Sequence, residues 1–142
     1  MKTPLYSILL KTNNAQRAKL RPYMADIGLS VGQPKVLTYL LRHDYCTQKD
    51  IARACDIEPA TVSKLLDTME EKELVMRTRQ AGNRRCFAIG ITEKGKAAQK
   101  QWAAHCKEVE HQALLDFSEE EKEQLQKYLC RMYHNLSGRE IE

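Results

Sequence analysis

Residues 77 to 85 read RTRQAGNRR, with four arginines (Arg77, Arg79, Arg84 and Arg85) and no acidic side chain among them. The whole chain has a formal charge of +4, which these four supply by themselves, so everything outside the stretch balances to zero. Guanidinium groups focused in this way suit the phosphates and the narrow minor groove of a nucleic acid, where they displace counterions and meet an enhanced negative potential. A second group lies just upstream. Between Pro59 and Lys72, Val62, Leu65, Leu66 and Met69 recur at helical spacing, which turns Ala60, Ser63, Lys64 and Asp67 to the opposite side, with Thr61 and Thr68 on a flank. An ordinary solvated face is filled with Glu and Lys. Small side chains and hydroxyls suit instead a helix that enters a major groove about 12 Å wide.

Both groups need elements that hold them side by side. Thr47 followed by Asp50 is a capping-box start, with Thr47 and Gln48 opening a short helix whose apolar stripe is Ile51, Ala54 and Cys55. A tight connection at Asp56 to Glu58 leads to Pro59, whose missing N–H costs nothing in a first helical turn. Two short helices joined this closely form a helix-turn-helix. After Leu74 and Val75 the pattern becomes extended: MRTRQ, a turn at Ala81 to Asn83, then RRCFAIGI with Phe87, Ile89 and Ile91 toward one face predict a β-hairpin. A hairpin there is a wing, and it carries the arginines.

The flanks read as helices. Leu5, Ile8, Leu9, Leu20, Tyr23, Met24 and Ile27 mark a first helix that Pro22 bends, and Val36, Leu37, Leu40 and Leu41 mark a second. Thr92 caps a long helix in which Trp102, Cys106, Val109 and Ala113 share a face. Ser118 and Glu121 form another capping box, opening a last helix with Leu125, Tyr128, Leu129, Met132 and Leu136. The fold class is therefore mainly α with a small β-hairpin wing. One domain over 1–142 is expected, with a head at 31–96, a connecting helix at 92–116, and dimerisation helices at 1–30 and 117–142. The terminal helices carry more apolar surface than a small head covers, which predicts a homodimer.

Five cysteines at irregular gaps, with no CxxC pair, predict a reduced, cytoplasmic protein rather than a secreted scaffold. No apolar run approaches the roughly 18 to 20 residues that cross a bilayer, and the start lacks a signal peptide's long apolar centre. A pI near 8.8 permits a nucleic-acid partner without demanding one. No phosphate-cradling glycine loop, nucleophile elbow or HExxH is present, so the chain is not expected to be an enzyme or to need a cofactor. His43 and Asp44, and the group His105, Cys106, Glu108, Glu110 and His111, offer metal-ligand chemistry, but only Cys106 with Glu110 and Glu108 with His111 share a helical face, so no metal is expected. Cys86 follows two arginines that favour a thiolate, and a redox- or metal-responsive regulator of the same fold stays as an alternative. A winged-helix module that binds protein is another.

Four segments together, GLSVGQPKVLTYL, QKDIARACDIEPATVSKLLDTMEEKELVMR, NRRCFAIGITEKG and FSEEEKEQLQKYL, resemble the MarR family of multiple-antibiotic-resistance-type transcriptional regulators, and the likeness covers nearly the whole chain. The resemblance implies a homodimeric winged helix-turn-helix protein that binds a pseudo-palindromic double-stranded DNA operator and represses transcription until a small aromatic or phenolic ligand, or an oxidant, releases it. It implies that Thr61, Ser63 and Lys64 read or flank the major groove and that Ala60 permits close approach. In that family the wing tip commonly reads Asp-x-Arg; the matching residues here are Asn83 and Arg85, so the arginine lacks charge pairing. Glu73 stands where the family usually has Gly, a position at which a Cβ strains a left-handed helix end. A ligand pocket between the head and the dimerising helices is expected to involve Tyr23, Tyr39 and Trp102.

Overall fold

The computed structural model describes residues 1–79 and 87–142. The chain falls into two compact units, Met1–Lys107 and Glu108–Glu142. In the first, α1 (Leu5–Ile27) runs through Pro22 and stops at Gly28, whose φ of 82° gives the left-handed turn that glycine adopts at no cost. The remaining elements of this unit are α2 (Gln33–Arg42), β1 (Cys46–Thr47), α3 (Gln48–Ala54), α4 (Pro59–Glu71), β2 (Val75–Arg79), β3 (Phe87–Ile91) and the greater part of α5 (Glu93–Ala113). No described helix is long and apolar enough to cross a membrane.

The three strands form one antiparallel sheet in the order β1-β3-β2, with Arg77 opposite Ile89 and Arg79 opposite Phe87. The wing strands are thus where the alternating pattern places them. β1, two residues long, is an element that the pattern does not announce; it exists through its pairing with β3. The simple alternation also fails in β3. Ala88, Ile89, Gly90 and Ile91 are all buried, while Phe87 stays exposed. The second face is closed by Asp44 and Tyr45: a Cβ on Gly90 would lie 2.9 Å from the Tyr45 ring, and Asp44 Oδ1 accepts the Ile91 N–H at 3.0 Å.

Val36, Leu37, Leu40, Ile51, Val62, Leu66, Met69 and Ile89 are completely covered and form the centre of the core. At roughly 1.5–3 kcal/mol per buried large aliphatic side chain, this cluster sets the rotation of α4. In α3, Ala52 rather than Ala54 joins Ile51 and Cys55 inside. The covered side of α3 is the one that meets α2 and α4 in a single core, which spacing within seven residues does not specify.

α3 and α4 end in the same way. At the end of α4 the Leu74 N–H reaches the Met69 carbonyl and the Glu73 N–H the Glu70 carbonyl, a Schellman closure with Glu73 at φ 60°. At the end of α3 Ile57 bonds Ala52 and Asp56 bonds Arg53, with Asp56 at φ 54°. Glu73 therefore accepts the left-handed strain in place of glycine, and its carbonyl receives the Thr92 hydroxyl at 2.6 Å. Thr92 Oγ1 in turn caps α5 through the Gly95 N–H at 3.0 Å. Gly95 approaches Leu74 so closely that a Cβ would collide with the Leu74 carbonyl.

The second unit contains the end of α5 and α6 (Glu119–Ser137). Ser118 and Glu121 close the expected capping box, with bonds of 3.1 and 2.8 Å. α6 has no buried residue, and Tyr128, Leu129 and Leu136 are exposed.

Candidate nucleic-acid interface

Burial of Val62, Leu66 and Met69 turns the opposite face of α4 to solvent: Ala60, Thr61, Lys64 and Asp67 are exposed, and Ser63 and Thr68 partly so. The Thr68 hydroxyl donates to the Lys64 carbonyl at 3.2 Å, so its hydrogen is held by the helix and its lone pairs face outward. No side chain caps the start of α4, where Pro59 follows Glu58. The face is slim, polar and rich in hydroxyls, as a groove-entering helix requires.

Arg77 does not stand apart from this helix. From β2 its Nη1 meets Asp67 Oδ1 at 2.8 Å, its Nη2 donates to the Ser63 carbonyl at 3.3 Å, and its Nε lies 3.5 Å from Glu70 Oε2. The last is a charge contact without hydrogen-bond alignment, since Nε has no aligned acceptor. The side chain is only 21% exposed. This guanidinium clamps the first wing strand to α4, and Glu70, absent from the sequence-derived set, shares that work. Arg79 is exposed, its guanidinium 5.8 Å from the Phe87 ring centre across the strand pair. Asn83, Arg84, Arg85 and Cys86 lie outside the described residues.

Thr47 caps α3: its Oγ1 accepts the Asp50 N–H at 3.2 Å, and its own N–H donates to Asp50 Oδ2 at 3.1 Å. Hydrogen bonds from the Thr47 side chain, then from its backbone, hold the Asp50 carboxyl below its ordinary value. Gln48, the first residue of α3, is partly buried.

Of the three aromatic residues assigned to a pocket, Tyr23 stacks on His105 with ring centres 3.8 Å apart, Tyr39 stacks on His43 at 4.6 Å, and Trp102 packs against the core. Two open clefts occur in the second unit, one lined by residues from Glu123 to Glu140 and one by residues from Leu115 to Tyr128; neither includes these three. Among the described residues no three His, Cys, Asp or Glu side chains converge as a metal site. Burial, with the Asp50 charge adding to it, pushes the Cys46 thiol up to about 11, and burial raises Cys55 as well, so both favour the protonated, unreactive form.

Residues 29–87 match the model of the MarR family. The crystal structure of transcriptional regulator PA3341 is similar to this chain with a TM-score of 0.81 at 32% identity, covering 96% of this chain and 100% of that one. MepR of S. aureus, in a crystal structure of its DNA complex, is similar with a TM-score of 0.85 at 28% identity over 96% of this chain and 100% of that one. The HTH-type transcriptional repressor YetL of Bacillus subtilis (strain 168) is 27% identical over 136 residues, 94% of this chain and 78% of YetL.

Proposed function

Since the chain belongs to the MarR family and is a DNA-binding transcriptional regulator, we propose that it works as a homodimeric repressor on a pseudo-palindromic operator. The observation that carries this reading is the outward face of α4, which presents Ala60, Thr61, Ser63 and Lys64 while the core holds the other side rigid. These four residues enter the major groove, Asp67 and Thr68 lie beside it, and Thr47 and Gln48 approach the backbone from the start of α3. Arg79, with Asn83, Arg84 and Arg85, takes the wing to the flanking minor groove. Arg77 holds the wing strand against α4 instead of spending its charge on phosphate. The DNA complex of the related S. aureus protein supports this reading.

A second copy of the chain covers the apolar side chains exposed on α1 (Leu5, Ile8, Leu9) and on α6 (Leu129, Leu136). Twofold symmetry then sets two α4 helices about one helical turn apart on the duplex. A small aromatic or phenolic ligand is the releasing signal in this proposal, and Tyr23, Tyr39 and Trp102 are its contacts. The protein acts in the cytoplasm, and no catalytic role is assigned to it. The test is selection of bound duplexes from a random pool, with the molecular mass measured by sedimentation. An inverted repeat among the winners and a dimeric mass are the expected results. A monomer, or a pool without enrichment at low salt, defeats the proposal.

A further inference from the structure

The end of α4 away from Pro59 is held by an unusual concentration of acceptors. Lys72, the residue that closes the helix, directs its ammonium to the Gly28 carbonyl at 3.0 Å, Gln33 Oε1 at 3.3 Å and Ser30 Oγ at 3.4 Å. Three acceptors match the three donors of an ammonium, so its hydrogen-bonding capacity is used within the protein. Gly28 ends α1, and a carbonyl at a helix C-terminus carries partial negative charge that attracts a cation. Gln33 is wholly buried, and its Oε1 also accepts the Ser30 N–H at 3.0 Å. Both neighbours of Oε1 are donors, which fixes the orientation of the amide and leaves Nε2 without a hydrogen-bond partner among the described residues. A buried orphan donor is costly. An apolar residue would avoid that cost, so what Gln33 contributes is the oxygen shared by the Ser30 N–H and Lys72.

A second contact joins the same parts. Leu65, midway along α4, packs onto Gly32 in the α1–α2 connection so tightly that a Cβ there would lie 3.0 Å from Leu65 Cδ1; Gly32 itself sits at φ 89°. Leu65 and Lys72 are about 10 Å apart along the axis at roughly 1.5 Å per residue. Two fixed points on a rigid rod define its line.

Resting on the reading of α4 as the groove-entering helix, we propose that Lys72 is a positioning residue for DNA recognition: by tying the end of α4 to the end of α1 through Gly28, Ser30 and Gln33, it sets the tilt at which the small-side-chain face meets the bases. Lys72 touches no DNA in this arrangement. It acts through α4, and a rotation of α1 is delivered to the reading face through the same contacts.

The experiment uses the full chain, a duplex that it selects from a random pool, and a scrambled duplex of equal composition, each titrated at several salt concentrations. Lys72→Met is expected to lower the ratio of the two affinities about tenfold, the order of one charge-assisted hydrogen bond, while scrambled-duplex affinity and its salt slope stay as in the parent. Lys72→Arg, which keeps charge and donors, restores most of the ratio, and Ser30→Ala lowers it less than Lys72→Met. An unchanged ratio in Lys72→Met overturns the proposal. So does an equal loss on both duplexes with a salt slope flatter by about 0.9, the mark of a lost phosphate contact. If Lys72→Met melts below the assay temperature, the same criterion passes to Ser30→Ala. A parent that selects no duplex defeats the function reading instead, so the two failures are distinguishable.

Discussion

α3 and α4 belong to one motif and end alike, yet they begin in opposite ways. α3 opens with a reciprocal box in which Thr47 and Asp50 satisfy each other's backbone N–H groups. α4 opens with Pro59 and no side-chain cap, so the early N–H groups of Ala60 and Thr61 point out of the helix without an internal partner. One helix has closed its own terminus and serves the packing of the head. The other leaves its first N–H groups uncapped beside its small side chains, and under the proposed function these groups face the phosphate backbone. Under the proposed function, the contrast separates a scaffold helix from a reading helix within one motif.

The two helices should differ most when the exposed face of α4 is changed. Lys64→Glu reverses a charge on the exposed face and is expected to weaken operator binding on the order of 100-fold, with a melting temperature close to the parent's. A variant that binds as tightly as the parent would remove α4 from the groove. Thr47→Ala should act mainly on stability, lowering unfolding free energy by about 1 kcal/mol in urea titrations and weakening operator binding only as far as one peripheral backbone contact allows; an affinity loss as large as that of Lys64→Glu would move Thr47 from the periphery into the groove. Glu73→Gly tests the shared ending. Relief of roughly 1–2 kcal/mol of left-handed strain, less about 0.4–1 kcal/mol for the freer unfolded chain, leaves a net gain on the order of 0.5–1 kcal/mol in the same titration.

The smallest effect is in acid. The Asp50 carboxyl titrates below its ordinary 3.8 in the folded chain, so its stabilisation is present above that pH and is lost as pH falls through the lower, folded value. Asp50 is almost fully solvated, and the contribution is correspondingly screened. Thr47→Ala should flatten this part of the stability profile, and an unaltered profile would detach Asp50 from the capping box.

What was legible in the sequence was local. The capping boxes at Thr47 and Ser118, the 3.6-residue stripe of α4 and the switch to alternation at Val75 each arise within one or two turns of chain, where pattern and structure share a cause. What was not legible required the fold. RTRQAGNRR contains no acid, and the acids that hold Arg77 stand seven and ten residues upstream on α4, brought near only when β2 folds back along the helix. β1 has too few residues to show a period and exists by pairing with β3. The second covered face of β3 depends on Tyr45, itself at φ 58°, and Ala52 rather than Ala54 is covered because α3 meets α2 and α4 in one core. Nothing in the sequence around Lys72 marks it out, because its three acceptors come from a connection about 40 residues earlier.

The crowding at Gly95 sets a rule for any library built on this chain. Because a hydrogen atom is all that fits against the Leu74 carbonyl there, a pool randomised at every codon and screened for soluble expression should return glycine at position 95, while Glu93, Lys94 and Lys96, exposed on the same turn, tolerate wide replacement. Mutational tolerance would thus fall and recover within a single turn of helix, and the steepest drop would occur at the smallest residue.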